Sequence, residues 1–488
     1  MGVKKGPNLV VRLAAPVFLL TLQLLLPPAA ANAQANPTSA TNPYFGSVTA
    51  QPLSDKTLQL SLDDAVSRGF KNNLGLQEAQ NGEKTLNGQR NEAVQQFLPT
   101  ITLNGNTGYY QHNLVAQGFS PGLVAKFAKL LPPSKTPVKF SEITRDDLTQ
   151  GQLNFSETLF SGPVFDAYKA SGAAVRSAYF AKMTARGEVV QQVATAYLRS
   201  IADASEVENA QALVAQSQLF FDHEHEAHVA GTVANLDELR AHVQLQSQQQ
   251  ALIDAQNQLE KELILLKRET GIDPGQKIAL TDSAPYSDLA EQTPEELRAS
   301  AYKNRQDYQN LQNQLVEFKA IHAAYRSQRW PTLTFNSSWT IDDVNGAGTR
   351  GLFTAVGTLS VPIFREASLR GQSDASQAQL EAVTAQLADL RDHIDQQVRS
   401  ALLDVSASKQ LVDVARSNVE LATRELSDET DRVNAGVDDN LPLVTAQATL
   451  ASAQANLVES LYQYNVSKLA LARAAGVLEQ QYRAYLGR

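Results

Sequence analysis

The sequence predicts a mainly α-helical protein with a small β component, written as two copies of one half. Three observations predict it. The first is an internal repeat: the stretch His228–Leu236 reappears as Val433–Leu441. Gly231 and Gly436, Asn235 and Asn440, Leu236 and Leu441, Ala241 and Ala446, and Gly271 and Gly476 all share one offset of 205. Phe160 and Phe364 are related by 204, and Leu98-Pro99-Thr100 and Trp330-Pro331-Thr332 by 232. The halves therefore differ mainly in one internal loop, and a period this long is a duplication rather than a solenoid. The second observation is two stretches, 163–229 and 367–434, with no proline beyond the first turn and almost no glycine. The third is a pair of period-two segments in each half, placed between helices.

Taken in order, the chain opens on Lys4, Lys5 and Arg12, an apolar run Leu13–Leu26, and the small-x-small triplet Ala31-Asn32-Ala33. This is the pattern of a signal peptide over 1–33, the apolar run being short for a spanning helix. A leader rich in Ala, Asn, Pro, Ser and Thr over 34–55 reads as flexible. The first repeat is expected over 56–275 and the second over 276–488. Each repeat reads as a helix, two strands, a very long helix, a tight turn and a second long helix.

In the first half Ile101, Leu103 and Tyr109 mark the going strand, and Leu153 and Phe155 the returning one. A long exposed loop after Tyr110 carries Pro121-Gly122 and Pro132-Pro133. In the second half Leu333, Phe335, Ser337, Trp339 and Ile341 share one face. A short turn with Asn345-Gly346 leads to Phe353, Ala355, Gly357, Leu359 and Val361. On periodicity alone these are core hairpins or spanning strands alike.

In the second long helix Val383, Leu387, Leu390, Ile394, Val398, Leu402 and Val405 recur at intervals of three and four, a narrow coiled-coil-like seam. At 1.5 Å per residue such helices are on the order of 100 Å long, so the unit that buries them is a bundle or an oligomer. Gly231 and Gly436 are expected to end the long helices in the left-handed conformation. Asn235 and Asn440 are expected to cap the return helices, which end at Gly271 and Gly476.

Composition excludes several classes. The formal charge is -9, or about -12 without the three basic residues of the first 33, so nucleic acid is not an expected partner. There is no cysteine, hence no disulfide. No nucleotide-binding glycine loop or Ser-His-Asp set can be nominated, and neither an enzymatic activity nor a cofactor is expected. After the signal no apolar run is long enough for a spanning helix, which leaves a β-barrel open. His223, His225, His228 and His242 cluster around Glu224 and Glu226, and His225 and His228 share a helix face. A metal site there is a weak alternative to a solvated face, and none is expected.

Taken together, these features resemble the TolC-like outer membrane efflux protein family. The resemblance rests on Leu60-Ser61-Leu62-Asp63-Asp64-Ala65 with Asn72-Asn73-Leu74, and on Phe97-Leu98-Pro99-Thr100 with Arg329-Trp330-Pro331-Thr332. It also rests on Thr158-Leu159-Phe160-Ser161-Gly162 with Val361-Pro362-Ile363-Phe364, and on the paired Ala-Gly and Asn-Leu tip turns. It implies a homotrimer in which each protomer gives four strands to a shared twelve-stranded outer-membrane β-barrel and its helices to a periplasmic tunnel. Trp330, Trp339, Phe335, Phe353, Tyr109 and Tyr110 would then belong to interfacial girdles. The implied function is a passive exit duct for small molecules or polypeptides, working with a periplasmic adaptor and an inner-membrane pump.

The resemblance also implies acidic residues narrowing the tip just after the turn. Asp237 matches in the first half. Pro442 and Thr445 depart from that pattern in the second, where Asp438 and Asp439 stand earlier and can substitute. Two other classes compete: a periplasmic adaptor, which needs a lipoyl-like domain and a soluble β-barrel flanking a single helical hairpin where this chain has two strand hairpins between helices, and a structural envelope coiled coil, which does not require the proline-led strands.

Overall fold

The structure, a computed structural model, describes residues 40–48, 52–130, 142–283, 286–346, 348–435 and 440–487. The expected signal peptide, Gly436, Asp438 and Asp439 lie outside these residues.

The first half runs β1 (Leu58–Leu60), α1 (Leu62–Asn72), α2 (Leu74–Gln95), β2 (Thr100–Asn113), α3 (Pro121–Ala128), β3 (Ile143–Phe160), α4 (Gly162–Val229) and α5 (Asn235–Thr270). The second runs β4 (Ile278–Leu280), α6 (Pro294–Asn304), α7 (Gln306–Ser327), β5 (Thr332–Val344), β6 (Arg350–Ser360), α8 (Glu366–Asn434), α9 (Asn440–Ala474) and α10 (Leu478–Tyr485). Helices α4 and α8 have 68 and 69 residues, so each is on the order of 100 Å long.

Four strands form one antiparallel sheet in the order β2-β3-β5-β6. The helices α2 and α7 lead up to that sheet, and α4 and α8 lead away from it. Toward the sheet the helix neighbours are α2–α4–α7–α8, and toward the far tip they are α5–α4–α9–α8. Each level is thus a row of four elements with two open ends.

The rows are joined at mid-length. There β1 pairs in parallel with β4, Leu58 to Ile278 through Leu60 to Leu280. One core cluster gathers Leu60, Val66, Val193, Tyr197, Leu266 and Leu471 from both halves. Tyr197 Oη lies 2.8 Å from both Leu60 O and Asp282 Oδ2, and Asp282 Oδ2 also accepts Leu62 N at 2.8 Å. That carboxylate pins the parallel pair to the long helix α4.

At this level helices also meet end to end, α5 against α2 and α9 against α7. Gly271 and Gly476 close the incoming helices with φ of +72° and +76°. The next N–H, from Ile272 or Val477, returns to the carbonyl of Lys267 or Ala472, each at 2.9 Å. These are Schellman closures, which require a left-handed residue.

Three expectations are corrected. The leader is built into the fold over its later part: Pro43–Phe45 form a 3-10 turn. There Asn73 Nδ2 donates to Tyr44 O at 2.7 Å and Arg268 Nε donates to Phe45 O at 3.1 Å. A polar composition hides this, because the contacts are backbone carbonyls and one aromatic ring. The loop after Tyr110 is shorter than expected, since β2 continues to Asn113 and β3 starts at Ile143, with α3 between them. There Leu148 is out of phase with Ile143 and Leu153 and the other positions are polar or glycine, so no apolar period of two shows. Asn235 is the first residue of α5, not its cap; Ala234 takes the N-cap position and makes no side-chain hydrogen bond. The residues before Asn440 lie outside the described ones, and with them the expected cap of α9.

Candidate functional site

The sheet has two chemically different faces. The register aligns Ile101 with Phe155 and Leu103 with Leu153, Leu153 with Trp339 and Gly151 with Ile341, and Trp339 with Phe353 and Leu333 with Leu359. Directly opposed residues share a face, so these build one apolar surface. On the other face stand Thr102, Asn104, Asn154, Gln152, Ser338 and Thr340. The apolar side is bare: Leu103, Phe353 and Leu359 are all exposed. From Leu333 to Ile341 it extends about 26 Å along the strand at roughly 3.3 Å per residue, close to the apolar band of a membrane barrel. Ser156 Oγ bonds Asn336 Oδ1 at 2.8 Å and Gln150 Nε2 donates to Asp342 Oδ1 at 3.0 Å, knitting the polar side.

The open ends of the helical row are also apolar. On α8, Leu403, Leu411, Val414 and Leu421 are exposed, and on α5, Leu236, Leu239, Val243, Ile253 and Ile264. Each set falls within about 100° of its helix circumference at 100° per residue. A stripe this long on water is unfavourable by roughly 1.5–3 kcal/mol for each large side chain left uncovered.

At the tip, α4 ends in a third Schellman closure: Gly231 has φ +74°, and Thr232 N returns to Ala227 O at 2.9 Å. Asp237 sits in the first turn of α5, where the helix dipole favours a carboxylate. It is paired with Arg240 on its own helix, Oδ1 to Nη1 3.3 Å. Asp237 therefore reaches the tip partly neutralised.

Its neighbour Glu238 does more than the sequence suggests. Glu238 Oε1 accepts from His225 Nδ1 at 2.7 Å, and Glu238 Oε2 lies 3.7 Å from His228 Nε2. The His225 hydrogen bond, followed by the charge of the histidines, holds the Glu238 carboxyl below its ordinary range. His225 and His228 thus converge on a carboxylate across the hairpin, and Phe221 stacks between His225 and His242. Among the described residues no group of three or more histidines and carboxylates is arranged to hold a metal. Glu238 was missed because its partners lie 10 and 13 residues back, on the other arm, where no helical period points.

Below the tip, Ala422, Leu426, Leu443, Ala446 and Leu450 join α8 to α9, with Phe220 of α4 packed on them. Glu224 is 1% exposed, with Oε2 unpartnered, and takes His223 Nδ1 at 3.2 Å on its other oxygen.

The sequence profile of the outer membrane efflux proteins matches residues 66–271 and 297–477. The chain belongs to that family. It is an exit duct for efflux located in the outer membrane, and the family is one of channels. Among solved structures, a membrane protein from Pseudomonas aeruginosa is 18% identical with a TM-score of 0.73, covering 88% of this chain and 97% of that one. The CmeC outer membrane channel of Campylobacter jejuni is 15% identical with a TM-score of 0.73, over 92% and 94%. The outer membrane protein VceC of Vibrio cholerae is 17% identical with a TM-score of 0.69, over 85% and 96%. At these identities the likeness is one of fold, and it covers nearly the whole of each chain. No curated protein sequence matches this one.

Proposed function

We propose that three copies close into one tube, a twelve-stranded barrel in the outer membrane continued by a helical tunnel through the periplasm. The tube serves as the passive outlet of an assembly with a periplasmic adaptor and an inner-membrane pump. The observation that carries this reading is the open row of four found at every level. Strand β6 runs antiparallel to β5, and so antiparallel to the β2 of a following copy. Successive copies can therefore pair β6 to β2 and bring the α8 stripe against the α5 stripe without changing hand. A head-to-tail contact that closes removes every free edge. The apolar sheet face then meets lipid and the polar face lines the lumen.

The duplicated halves supply two near-equivalent units per chain, six around the tube. Substrate choice and energy rest with the pump. Asp237, with Asp438 and Asp439 of the second turn, forms the acidic constriction at the closed tip.

Two experiments test this. Leu403→Asp with Leu421→Asp places charges on the α8 stripe while sparing the buried seam. The variant is expected to run as a monomer in mild detergent with its helical circular dichroism retained. A stable trimer refutes the closure. In single-channel recordings, divalent cations added from the tip side are expected to block the current. The block should weaken at least about tenfold when Asp237, Asp438 and Asp439 are replaced by alanine, each charge contributing on the order of 0.5–1 kcal/mol. An unchanged block removes the ring.

A further inference from the structure

The two end-to-end helix junctions are built alike but filled differently. In each, the terminal glycine leaves no room for a side chain: a Cβ on Gly271 would lie 2.5 Å from Asn72 Cβ, and one on Gly476 2.7 Å from Arg305 N. Helices that abut leave a gap beside the joint, because neither fills the turn between them.

At the α5–α2 junction the chain fills its own gap. The Pro43–Phe45 turn lays Tyr44 on Gly75, in the first turn of α2, so closely that a Cβ on Gly75 would lie 2.6 Å from the ring. Glycine is thus what admits the aromatic ring.

At the α9–α7 junction the corresponding positions read differently. Counted from the N-caps Asn73 and Arg305, Gly75 corresponds to Asp307. Counted from the terminal glycines, Arg268 corresponds to Arg473. A cavity of about 610 Å³ remains there between α4, α8, α9 and the starts of α7 and α10. That volume suits a one- or two-ring molecule with a few waters. Tyr179, Met183, Ala401 and Leu478 give it an apolar side.

Its charges are unbalanced. Arg305 is spent on Asp307 at 2.6 Å and Gln397 at 2.6 Å. Arg473 is spent on Glu188, and Glu479 on Arg186 at 2.7 Å. Asp404 also lines the cavity, and its carboxylate has neither ion pair nor hydrogen bond among the described residues. Burial pushes the Glu188 carboxyl up in spite of Arg473, so further positive charge is favourable there.

We propose that this cavity is a binding site for an aromatic cation, whose ring lies against Tyr179, Met183 and Leu478 and whose charge faces Asp404. The lining comes from one protomer, and the mouth, at Ser400 and Asp404, opens beside the exposed stripe of α8.

The test is calorimetric titration of the full-length protein in detergent with benzamidine, an aromatic amidinium. Benzoate, benzyl alcohol and methylguanidinium serve as charge-reversed, neutral and non-aromatic controls. Saturable binding of one benzamidine per chain is expected, with each control at least about tenfold weaker. Asp404→Asn should weaken benzamidine roughly tenfold, the size of one charged hydrogen bond. Ser400→Trp, which fills the mouth, should abolish binding. Asp404 and Ser400 are both exposed; circular dichroism and migration in mild detergent verify that fold and assembly are those of the native protein in each variant. Absence of saturable benzamidine binding, equal binding of benzoate, or affinity unchanged in either variant overturns the proposal.

Discussion

Glu269 gives a test of how the mid-length core is held. It lies in the last turn of α5, two residues before Gly271, and is 1% exposed with Oε2 unpartnered. Burial, reinforced by the Glu262 carboxylate, raises its pKa from 4.5 to about 8. A raised acid is protonated in the folded chain where the unfolded chain has released its proton. The stability it permits is thus fully present below about pH 4.5 and lost as pH rises toward about 8. At 1.36 kcal/mol per pKa unit, the loss between about pH 5 and about pH 7 is at most about 2.5 kcal/mol per chain. Glu269→Gln keeps the shape of the neutral acid but cannot ionise. Urea unfolding followed by far-ultraviolet circular dichroism, at several values across that window, gives the difference between variant and native chains. The variant should gain on the native protein by roughly 2 kcal/mol from the acid to the neutral end. Any fixed offset from the exchanged amide cancels in that slope. Other titrating groups, such as Asp203 with its pKa raised to about 6 by burial, act on both proteins equally. Parallel pH profiles, or a native protein that gains on the variant, refute the reasoning.

Lys468 makes the opposite case: it is fully buried, with Nζ 3.3 Å from Ser287 O and 4.5 Å from the Tyr464 ring, and desolvation lowers its pKa from 10.5 to about 8. The unfolded chain holds the proton more tightly, so native stability rises from about pH 8 to about 10.5. Lys468→Met should therefore be more stable at neutral pH by up to about 3 kcal/mol, an advantage that shrinks through that window in the same unfolding assay. Gly476→Ala and Gly231→Ala place alanine at the same left-handed conformation, which costs roughly 1–2 kcal/mol. A Cβ at Gly231 meets open space and one at Gly476 meets Arg305 N, so thermal unfolding should show the Gly476 variant clearly the less stable. Equal losses would mean that the junction gives way.

The period-three-and-four seam made α8 readable to within a residue or two, because a narrow stripe tolerates no slippage over so many turns. The paired Asn-Gly of the second hairpin was equally legible: Asn345 and Gly346 have φ of +55° and +69°. What stayed hidden was every contact between distant segments. Tyr44 on Gly75 joins two segments whose link no local pattern announces. Glu238 meets His225 and His228 only because a hairpin folds one arm on the other. Asp237 stands in the first turn of α5, as its place after the glycine turn predicts, and its pairing to Arg240 follows an ordinary helical spacing of three.

The polarity of the sheet and the openness of the rows are separate constraints, and the proposed closure meets both. An apolar face some 26 Å tall needs lipid or a protein cover. Among the described residues no helix contacts the sheet as a layer. Lipid alone would satisfy the face yet leave β2 and β6 with unpaired backbone groups, which hydrocarbon does not tolerate. Pairing β6 with the β2 of another copy satisfies the backbone, and it forces the helices that continue from those strands into register as well. The α8 and α5 stripes are then covered by the same act that closes the barrel. On the proposed closure, placing a charge on the α8 stripe should therefore open the seam between β6 and the following β2 as well as that between the helices, because one row of contacts serves both.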